Sequence, residues 1–251
     1  MGDNSSRLAW TVLWTAFILF CVLAVSIPLG ARAYIMNAFE DQEAQLQRIA
    51  GTPLVRREEN GLPFGVPDTA TVLAGDELVI SADTRAILDL FDRSHITLYD
   101  NTILALDRAG SPRFGMSDRP NEVSVTVTSG RVSIGRALAG ERDTRFTVLT
   151  PHTSVLLDEG SYRVEVNAQG TEVTVVRGRA VVGSEPSGLV LSQGMRSSVD
   201  AAGTVVGPMP VARNLVRNGD FQEPLETAWI SDTIEYLVPP GRVTIVEDGG
   251  R

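Results

Sequence analysis

R-F-T-V-L-T-P-H-T-S-V-L-L-D-E-G-S-Y-R-V-E-V-N-A-Q-G-T-E-V-T-V-V-R-G-R-A-V-V-G (residues 145–183), followed by G-L-V-L-S-Q-G-M-R-S-S-V (residues 188–199), is the stretch that decides the fold. Apolar and polar residues alternate within each run, which predicts short strands buried on one face. Single glycines separate the runs, as expected where the backbone reverses. The residues predicted to face the core are Phe146, Val148, Val155, Leu157, Tyr162, Val164, Val166, Val173, Val175, Ala180 and Val182, and the punctuating glycines are Gly160, Gly170, Gly178 and Gly194.

The preceding residues extend this pattern towards the N-terminus. Residues 71–107 contain further alternating runs, with turn candidates at Gly75-Asp76 and Asp100-Asn101. Residues 44–56 are predicted to form a hairpin, and S-G-R at residues 129–131 is predicted to be a turn between two strands. Many short strands without long helical patterns indicate an all-β domain over residues 44–206. A sandwich or jelly roll is the first prediction, and a short β-solenoid is the alternative.

The composition narrows the classes of partner. The net charge is −9, and the basic residues are all arginine. Nucleic acid attracts clustered basic surface, so the acidic balance disfavours a nucleic-acid partner. Cys21 is the single cysteine and lies within an apolar run, so the rest of the chain can form neither an internal disulfide nor a cysteine metal site.

That apolar run begins at Leu8, ends at Gly30 and contains no charged residue. As a helix its 23 residues would span roughly 34 Å, and a bilayer core is about 30 Å thick. We therefore predict a transmembrane helix that contacts the lipid bilayer, preceded by a cytoplasmic tail of residues 1–7 and followed by a solvated stalk of residues 31–43. Two alternatives remain: a signal peptide cleaved after Ala33, since Ala31-Arg32-Ala33 has the required form, and a buried soluble helix.

Several polar groups were considered as chemistry-bearing sites. Paired carboxylates can perform acid–base catalysis or bind calcium, and serine next to histidine suggests nucleophilic catalysis. Their spacing matches neither a catalytic triad nor a metal-ligand pattern, so we predict no catalytic, metal-binding or cofactor-binding residue, and no enzymatic activity. The residues considered are Asp89, Asp92, Asp100, Asp158-Glu159, the run Asp92-Arg93-Ser94-His95, and Thr150-Pro151-His152.

Residues 71–200 resemble the FecR domain family of bacterial envelope proteins. The resemblance lies in G-D-E-L-V-I-S-A-D-T-R-A-I-L-D-L-F-D-R-S-H-I-T-L (residues 75–98), and in S-G-R-V-S-I-G followed by T-P, D-E-G-S-Y-R-V-E-V and V-V-R-G-R-A-V-V. Two departures are Arg93, where the family has a turn glycine, and Ser161, where it has threonine. Arg93 would be strained at positive φ unless the turn changes.

The resemblance implies a β domain outside the cytoplasmic membrane, in a protein that binds, scaffolds or senses a signal. Founding members of the family also regulate a sigma factor from a cytoplasmic region. The seven residues that precede Leu8 are too few for that activity, so it is not carried over. The expected partner is an envelope protein.

A second resemblance concerns residues 214–251. N-L-V-R-N-G-D-F-Q-E-P-L-E-T-A-W (residues 214–229) looks like the start of a galactose-binding-like jelly roll, a fold common in carbohydrate-binding modules. Residues 207–213 are predicted to be a stiff linker to this segment. Thirty-eight residues are too few for such a domain, so a truncated or remnant module is expected, or else strands that extend the β domain. A polysaccharide partner, with the FecR-like domain as a spacer, is therefore the alternative function.

Overall fold

The computed structural model describes residues 3–57, 61–138, 140, 142–183 and 188–211. Within these residues there is one helix, α1, followed by strands β1 to β18. The galactose-binding-like segment predicted for residues 214–251 lies outside the described residues and stays a prediction. The elements are α1 Asp3–Asn37, β1 Phe39–Asp41, β2 Ala44–Ala50, β3 Leu54–Arg56, β4 Pro63–Gly65, β5 Thr69–Val72, β6 Glu77–Ile80, β7 Arg85–Asp89, β8 His95–Leu98, β9 Thr102–Pro112, β10 Asn121–Arg136, β11 Thr144–Leu149, β12 Ser154–Leu157, β13 Gly160–Asn167, β14 Gly170–Arg177, β15 Arg179–Val182, β16 Leu189–Ser192, β17 Met195–Asp200 and β18 Val205–Pro210.

The strands form two sheets that share β10. The first sheet has the order β4-β3-β6-β9-β10-β11-β12-β15-β16, with β1 also paired to β9. The second has the order β5-β2-β7-β8-β10-β13-β14-β17-β18. The prediction of an all-β domain behind one helix is confirmed. After β10 the chain adds pairs of strands to each sheet in turn, so the domain grows serially, as a solenoid does.

The core lies between the two sheets and is built by side chains that alternate along the strands. Every residue that the opening stretch predicts to face inward is buried, and Phe146 and Tyr162 are among the largest buried side chains. Leu78, Ile96 and Leu104 contribute from the earlier strands. A shift of one residue in the pairing of a strand would turn its buried side chains to solvent. This alternation therefore also determines the register of the ladder.

β10 passes from one sheet to the other without leaving the strand conformation. It pairs with β9 through Ser129 and with β13 from Gly130 onwards, so the expected turn at residues 129–131 is instead a bend within one strand. Gly130 has a φ of 94°, and an added Cβ would lie 2.5 Å from the Asn101 carbonyl oxygen. The buried Thr102 hydroxyl accepts a hydrogen bond from the Arg131 amide at 3.0 Å and lies 3.1 Å from the Arg131 carbonyl, to which it can donate. The Arg131 backbone at the bend is therefore hydrogen-bonded by the side chain of a residue 29 positions earlier in the chain.

The hairpin predicted for residues 44–56 is wrong. β2 pairs with β5 and β7 in the second sheet, whereas β3 pairs with β4 and β6 in the first. Gly51, with a φ of 67°, carries the chain between the sheets, so this glycine supports a sheet-to-sheet connection. A turn pattern in the sequence does not distinguish a hairpin from a connection between two sheets, because the backbone reverses in both.

The residues expected to form a stalk, 31–43, are structured. α1 continues to Asn37, and β1 pairs with the end of β9, with Phe39 opposite Pro112. An added Cβ at Gly110 would lie 2.6 Å from the Phe39 ring, so this glycine makes room for the ring. Helix and β domain are thus joined by hydrogen-bonded backbone.

Two strands extend further than the sequence pattern predicts. β9 continues past residue 107, where the predicted alternating runs end, to Pro112, because β1 supplies its partner. Within residues 207–213, predicted to be a linker, residues up to Pro210 belong to β18, which pairs with β17. β9 gains a partner that is distant in sequence, whereas β18 pairs with the strand that directly precedes it.

The Gly75-Asp76 turn is confirmed and has a structural role. Gly75 has a φ of 92°, and Asp76, which is 3% exposed, accepts a hydrogen bond from the Leu73 amide at 2.9 Å. The Asp76 carboxylate also pairs with Arg57 at 3.2 Å. Removing this carboxylate would leave a buried amide and a partly buried guanidinium without their acceptor.

The turn before β8 keeps the strained conformation expected from the departure at Arg93. Arg93 has a φ of 68°, and its amide donates to the Leu90 carbonyl at 3.1 Å. Asn101 in the second predicted turn has a φ of 56°. Asparagine tolerates this conformation, whereas arginine does not favour it, so the strain is concentrated at Arg93.

We predict that Asp76→Asn lowers the free energy of unfolding by about 2 kcal/mol, because it weakens the Arg57 ion pair and the bond to the Leu73 amide. The measurement is urea unfolding of the detergent-solubilised chain, followed by far-ultraviolet circular dichroism. Asp68→Asn is the control, since Asp68 pairs with Arg48 in solvent and its loss should cost less than ~0.5 kcal/mol. Equal effects of the two variants would contradict the prediction.

Arg93→Gly should raise the free energy of unfolding by about 0.5–1 kcal/mol, because glycine adopts this φ without steric cost. The matched control is Arg163→Gly within β13, where glycine should destabilise by about 0.5–1 kcal/mol. Both are measured in the same unfolding assay. Destabilisation by both substitutions would show that Arg93 contributes more through its side chain than it costs through its backbone.

Candidate functional site

The run Asp92-Arg93-Ser94-His95 forms a turn whose polar groups bind one another. The Asp92 carboxylate accepts hydrogen bonds from the Ser94 amide at 3.0 Å and the Ser94 hydroxyl at 2.9 Å. Ser94 is 1% exposed, and its oxygen accepts from the Ala137 amide at 3.2 Å. His95 is exposed, as expected for the next residue along a strand. Ser94 therefore connects two loops, and its hydroxyl is not directed at His95.

The other carboxylates considered from the sequence lie apart in the structure. Asp89 accepts from the Gln47 side chain at 2.9 Å, and Asp100 accepts from the Asn101 side chain at 3.3 Å. Asp158 pairs with Arg179 at 2.7 Å. Among the described residues no group of three or more histidine, cysteine, aspartate or glutamate side chains is placed to hold a metal ion.

His152 belongs to a network of hydroxyl groups. Its Nδ1 lies 3.0 Å from the Thr171 hydroxyl, which donates to the Thr150 hydroxyl at 3.0 Å. The Thr150 hydroxyl also accepts from the Thr153 amide at 3.0 Å. This arrangement supports the interpretation of Thr150-Pro151-His152 as a strand-ending turn, which connects β11 to β12 and is hydrogen-bonded to Thr171 of β14.

Arg136, at the end of β10, organises the end of the β domain from which α1 leaves. Its guanidinium donates to the Leu157 carbonyl at 2.6 Å, to the Asp143 carboxylate at 2.9 Å and to the Thr144 carbonyl. The side chain is 6% exposed, and the Arg136 Nε has no hydrogen-bond partner among the described residues. One arginine thus joins β10, β11 and β12, a role that the sequence pattern did not indicate.

A shallow groove of about 640 Å³ adjoins Arg136. Its lining includes Arg93, His95, Glu159 and Arg177. The groove is open to solvent, and charged side chains share its lining with glycines and with the apolar Ala137 and Leu138. A small-molecule site would instead enclose most of its ligand. Its geometry fits a surface that contacts another macromolecule or a headgroup better than it fits an enclosed substrate pocket.

Tyr162 supports the same end of the domain from inside. Its hydroxyl lies 2.8 Å from the Asp158 carbonyl, 2.9 Å from the Arg179 carbonyl and 3.2 Å from the Glu159 carbonyl. Burial raises the pKa of Tyr162 above the ordinary tyrosine value, with the Asp158 carboxylate as a smaller cause in the same direction. The neutral phenol is therefore the form that the fold stabilises.

A second cluster lies near the opposite end of β8, on the outer face of the second sheet. The Arg85 and Arg131 guanidinium carbons lie over the Tyr99 ring, at 5.0 Å and 4.6 Å from its centroid. Neither arginine forms an ion pair with a carboxylate among the described residues. Arg85 lies in β7 and Arg131 in β10, and Tyr99 directly follows β8, the strand between them. Sequence reasoning missed this cluster, because its signal is the pairing of strands that are distant in the chain.

Tyr162→Phe should lower the free energy of unfolding at pH 7 by about 1–2 kcal/mol, because buried carbonyls lose their donor. The raised pKa adds a pH dependence: this contribution is present below the unfolded-state value of about 10 and is lost as the pH rises through the folded-state value. The variant should therefore lose less stability than the wild type between about pH 9 and pH 11, in urea unfolding.

The control is Tyr99→Phe, because the Tyr99 hydroxyl has no hydrogen bond among the described residues. It should resemble the wild type at pH 7. A Tyr162→Phe variant with wild-type stability and wild-type alkaline sensitivity would show that the phenol makes no net contribution.

Two solved structures are similar, both of a candidate anti-sigma factor from Parabacteroides distasonis, at 2.50 Å and 1.65 Å resolution. The first is 20% identical with a TM-score of 0.40, and the second is 19% identical with a TM-score of 0.41. Each match covers 52% of this chain and 57% of the other chain, so this chain spans little more than half of that protein's length. No curated protein matches.

The match to a protein family is more specific. Residues 76–181 match the family model described as FecR protein. The matched range begins at the buried Asp76 and ends within β15. This range includes the Asp92–Ser94 turn, the β10 bend and both clusters of arginines. The predicted FecR resemblance is therefore confirmed over residues 76–181.

Proposed function

We propose that this protein is anchored in the bacterial cytoplasmic membrane by α1 and holds its FecR domain on the extracytoplasmic side, where it binds an envelope partner without enzymatic activity. The proposal rests on the exposure of the apolar side chains of α1. Its described apolar side chains are largely exposed, including Phe20 at 67% and Ile27 at 64%. A continuous exposed surface of this kind requires an apolar environment, and the length of residues 13–37 suits a bilayer.

A cleaved signal sequence would share this length and composition, and we prefer the uncleaved anchor because α1 continues past Ala33 to Asn37. The Ser117 hydroxyl donates to the Met36 carbonyl at 2.9 Å, and the Arg113 amide donates to the Ala38 carbonyl at 3.0 Å. These contacts bind the last turn of α1 and the residues after it into the folded domain. Cleavage after Ala33 would separate Tyr34 and its neighbours from the helix on which their geometry depends.

A binding role fits the polar chemistry of the domain. The polar groups of the Ser94 turn, His152 and Arg136 are used within the fold, whereas Arg85 and Arg131 present positive charge on an acidic protein. Arginine binds carboxylates and phosphates through paired N–H groups, and each of these two is oriented by the Tyr99 ring. The class of partner that this cluster fits is an envelope protein with an acidic segment.

Anchoring and orientation are tested together with a single cysteine. In a Cys21→Ala background, Ala168→Cys places a thiol in the exposed turn between β13 and β14. We expect the protein to stay in the membrane fraction after alkaline carbonate extraction, and this thiol to react with a membrane-impermeant maleimide in intact spheroplasts. Ser5→Cys is the control and should react only after permeabilisation. Release by carbonate, or protection of Ala168→Cys until lysis, would contradict the proposal.

Binding is tested by photo-crosslinking in envelopes that contain either the wild type or the Arg85→Gln/Arg131→Gln variant. The double variant should lose a crosslinked protein that the wild type captures, because the paired positive charges are removed. Arg163→Gln, on the outer face of the same sheet, is the matched control and should retain it. Identical capture by all three proteins would exclude the cluster, and capture of polysaccharide alone would favour the carbohydrate-binding function.

A further inference from the structure

We infer that residues 113–120, the loop between β9 and β10, form a membrane-contact surface that inserts Met116 into the boundary between lipid headgroups and acyl chains. We call this segment the β9–β10 loop. The inference rests on the proposed membrane anchoring and adds to it a second point of lipid contact, made by the β domain itself. Such a contact would hold the FecR domain at one orientation to the bilayer.

The β9–β10 loop is attached to the end of α1. Ser117, which is 2% exposed, supplies the hydroxyl that binds the Met36 carbonyl. The Phe114 ring lies 6.1 Å from the Tyr34 ring, measured between centroids, in an edge-to-face arrangement. The loop therefore lies beside the last helical turn, and its depth in a membrane follows from the depth of that turn.

The length of α1 places this turn at the interface. The membrane-compatible part of the helix, Leu13–Asn37, has 25 residues and is about 37 Å long. A bilayer core is about 30 Å thick, so the final turn extends into the headgroup region. Tyrosine favours this region because its ring is apolar and its hydroxyl is polar. Tyr34 and Phe114 together thus have the character of an interfacial aromatic pair.

Met116 is the large apolar side chain of the loop that is left exposed. It is 76% exposed, although residues on both sides are held: Ser117 binds α1, and Phe114 contacts Tyr34. Arg142 donates to the carbonyls of Ser117 and Arg119 and, at 3.4 Å, of Gly115. These bonds fix the loop backbone, so Met116 cannot turn inward without breaking them. A flexible apolar side chain held outward next to a membrane helix is suited to lipid.

The charges of the loop agree with a headgroup environment. Arg113, Arg119 and the bound Arg142 carry positive charge against Asp118, in a protein whose net charge is −9. Arginine near a bilayer surface interacts favourably with lipid phosphates. The acidic residues of β1, Glu40 and Asp41, lie opposite Ser111 and Gly110 of β9. Arg119 pairs with Glu122 at 3.2 Å, so Arg113 is the loop arginine that has no carboxylate partner among the described residues. Lipid is therefore the occupant that both the apolar and the charged groups of this surface fit.

The test uses three single-cysteine forms of the full chain, each labelled with the fluorophore NBD and reconstituted in phosphatidylcholine–phosphatidylglycerol nanodiscs. The wild type reports from Cys21, inside the apolar run. Met116→Cys and Ala168→Cys, both in the Cys21→Ala background, report from the β9–β10 loop and from a turn beyond the level of the Gly130 bend. Quenching is measured with aqueous iodide and with lipids spin-labelled at the shallow and deep ends of the acyl chain.

We expect Cys21 to be quenched by the deep spin label, Met116→Cys by the shallow one, and Ala168→Cys by iodide alone. Iodide quenching should be severalfold weaker at position 116 than at position 168. If Cys21 is quenched by lipid but position 116 behaves like position 168, the membrane contact is wrong and the anchor stands. If Cys21 is quenched by iodide, the membrane anchor itself fails.

A second labelling position distinguishes contact with lipid from misfolding and from cover by another protein chain. At Gly115 an added Cβ would meet nothing within 4 Å, so Gly115→Cys should leave the fold unchanged. It should show the same protection from iodide as Met116→Cys. Protection that persists in detergent micelles at low protein concentration supports contact with amphiphile. Protection that depends on protein concentration would mean that a second copy of the chain covers the loop, and would overturn the lipid assignment.

Discussion

The whole β domain depends on how β10 changes sheets. One continuous strand hydrogen-bonds in the first sheet through Ser129 and in the second from Gly130, and this shared strand makes the two sheets one body. The bend requires a residue without a Cβ, because the Asn101 carbonyl approaches Gly130. It also disturbs the ladder at Arg131, whose amide donates to the buried Thr102 hydroxyl, while its carbonyl accepts from the Tyr99 amide at 3.1 Å. A buried backbone group without a partner costs stability, so Thr102 is a condition of the bend.

At the other end of the domain, arginine side chains hold neighbouring strands and loops together, as the Gly130 bend holds the two sheets together at this end. Arg136 donates to the Leu157 and Thr144 carbonyls, and Arg142 binds three carbonyls of the β9–β10 loop. A guanidinium has five donors in a fixed plane and can satisfy several loop carbonyls at once. The arginine-only composition is therefore used structurally, to close the end of the sandwich next to α1.

Hydrogen bonds within the fold also decide which polar groups are available to a partner. Ser94, His152 and the carboxylates that resemble reactive groups in the sequence bind neighbours within turns, and their chemistry is used in folding. Within the described residues, the surfaces that we propose for partners are the Arg85–Tyr99–Arg131 cluster and the β9–β10 loop. Both are surfaces, one charged and one interfacial, which suits a protein that positions a binding domain at a membrane.

The sequence by itself determined the class of this protein: strands from alternation, turns at Gly75-Asp76 and Asp100-Asn101, an apolar helix, and a FecR domain. Those properties are local, since a period of two or a glycine between runs can be recognised without knowing its neighbour. The tertiary structure alone decided that β2 and β3 lie in different sheets, that β10 bends without a turn, and that β1 joins α1 to β9. It also brought Arg85, Tyr99 and Arg131 together from three strands. The physical reason is that a strand acquires its partners only through hydrogen bonds to distant residues, and the sequence pattern specifies which face is buried but not which strand lies beside it.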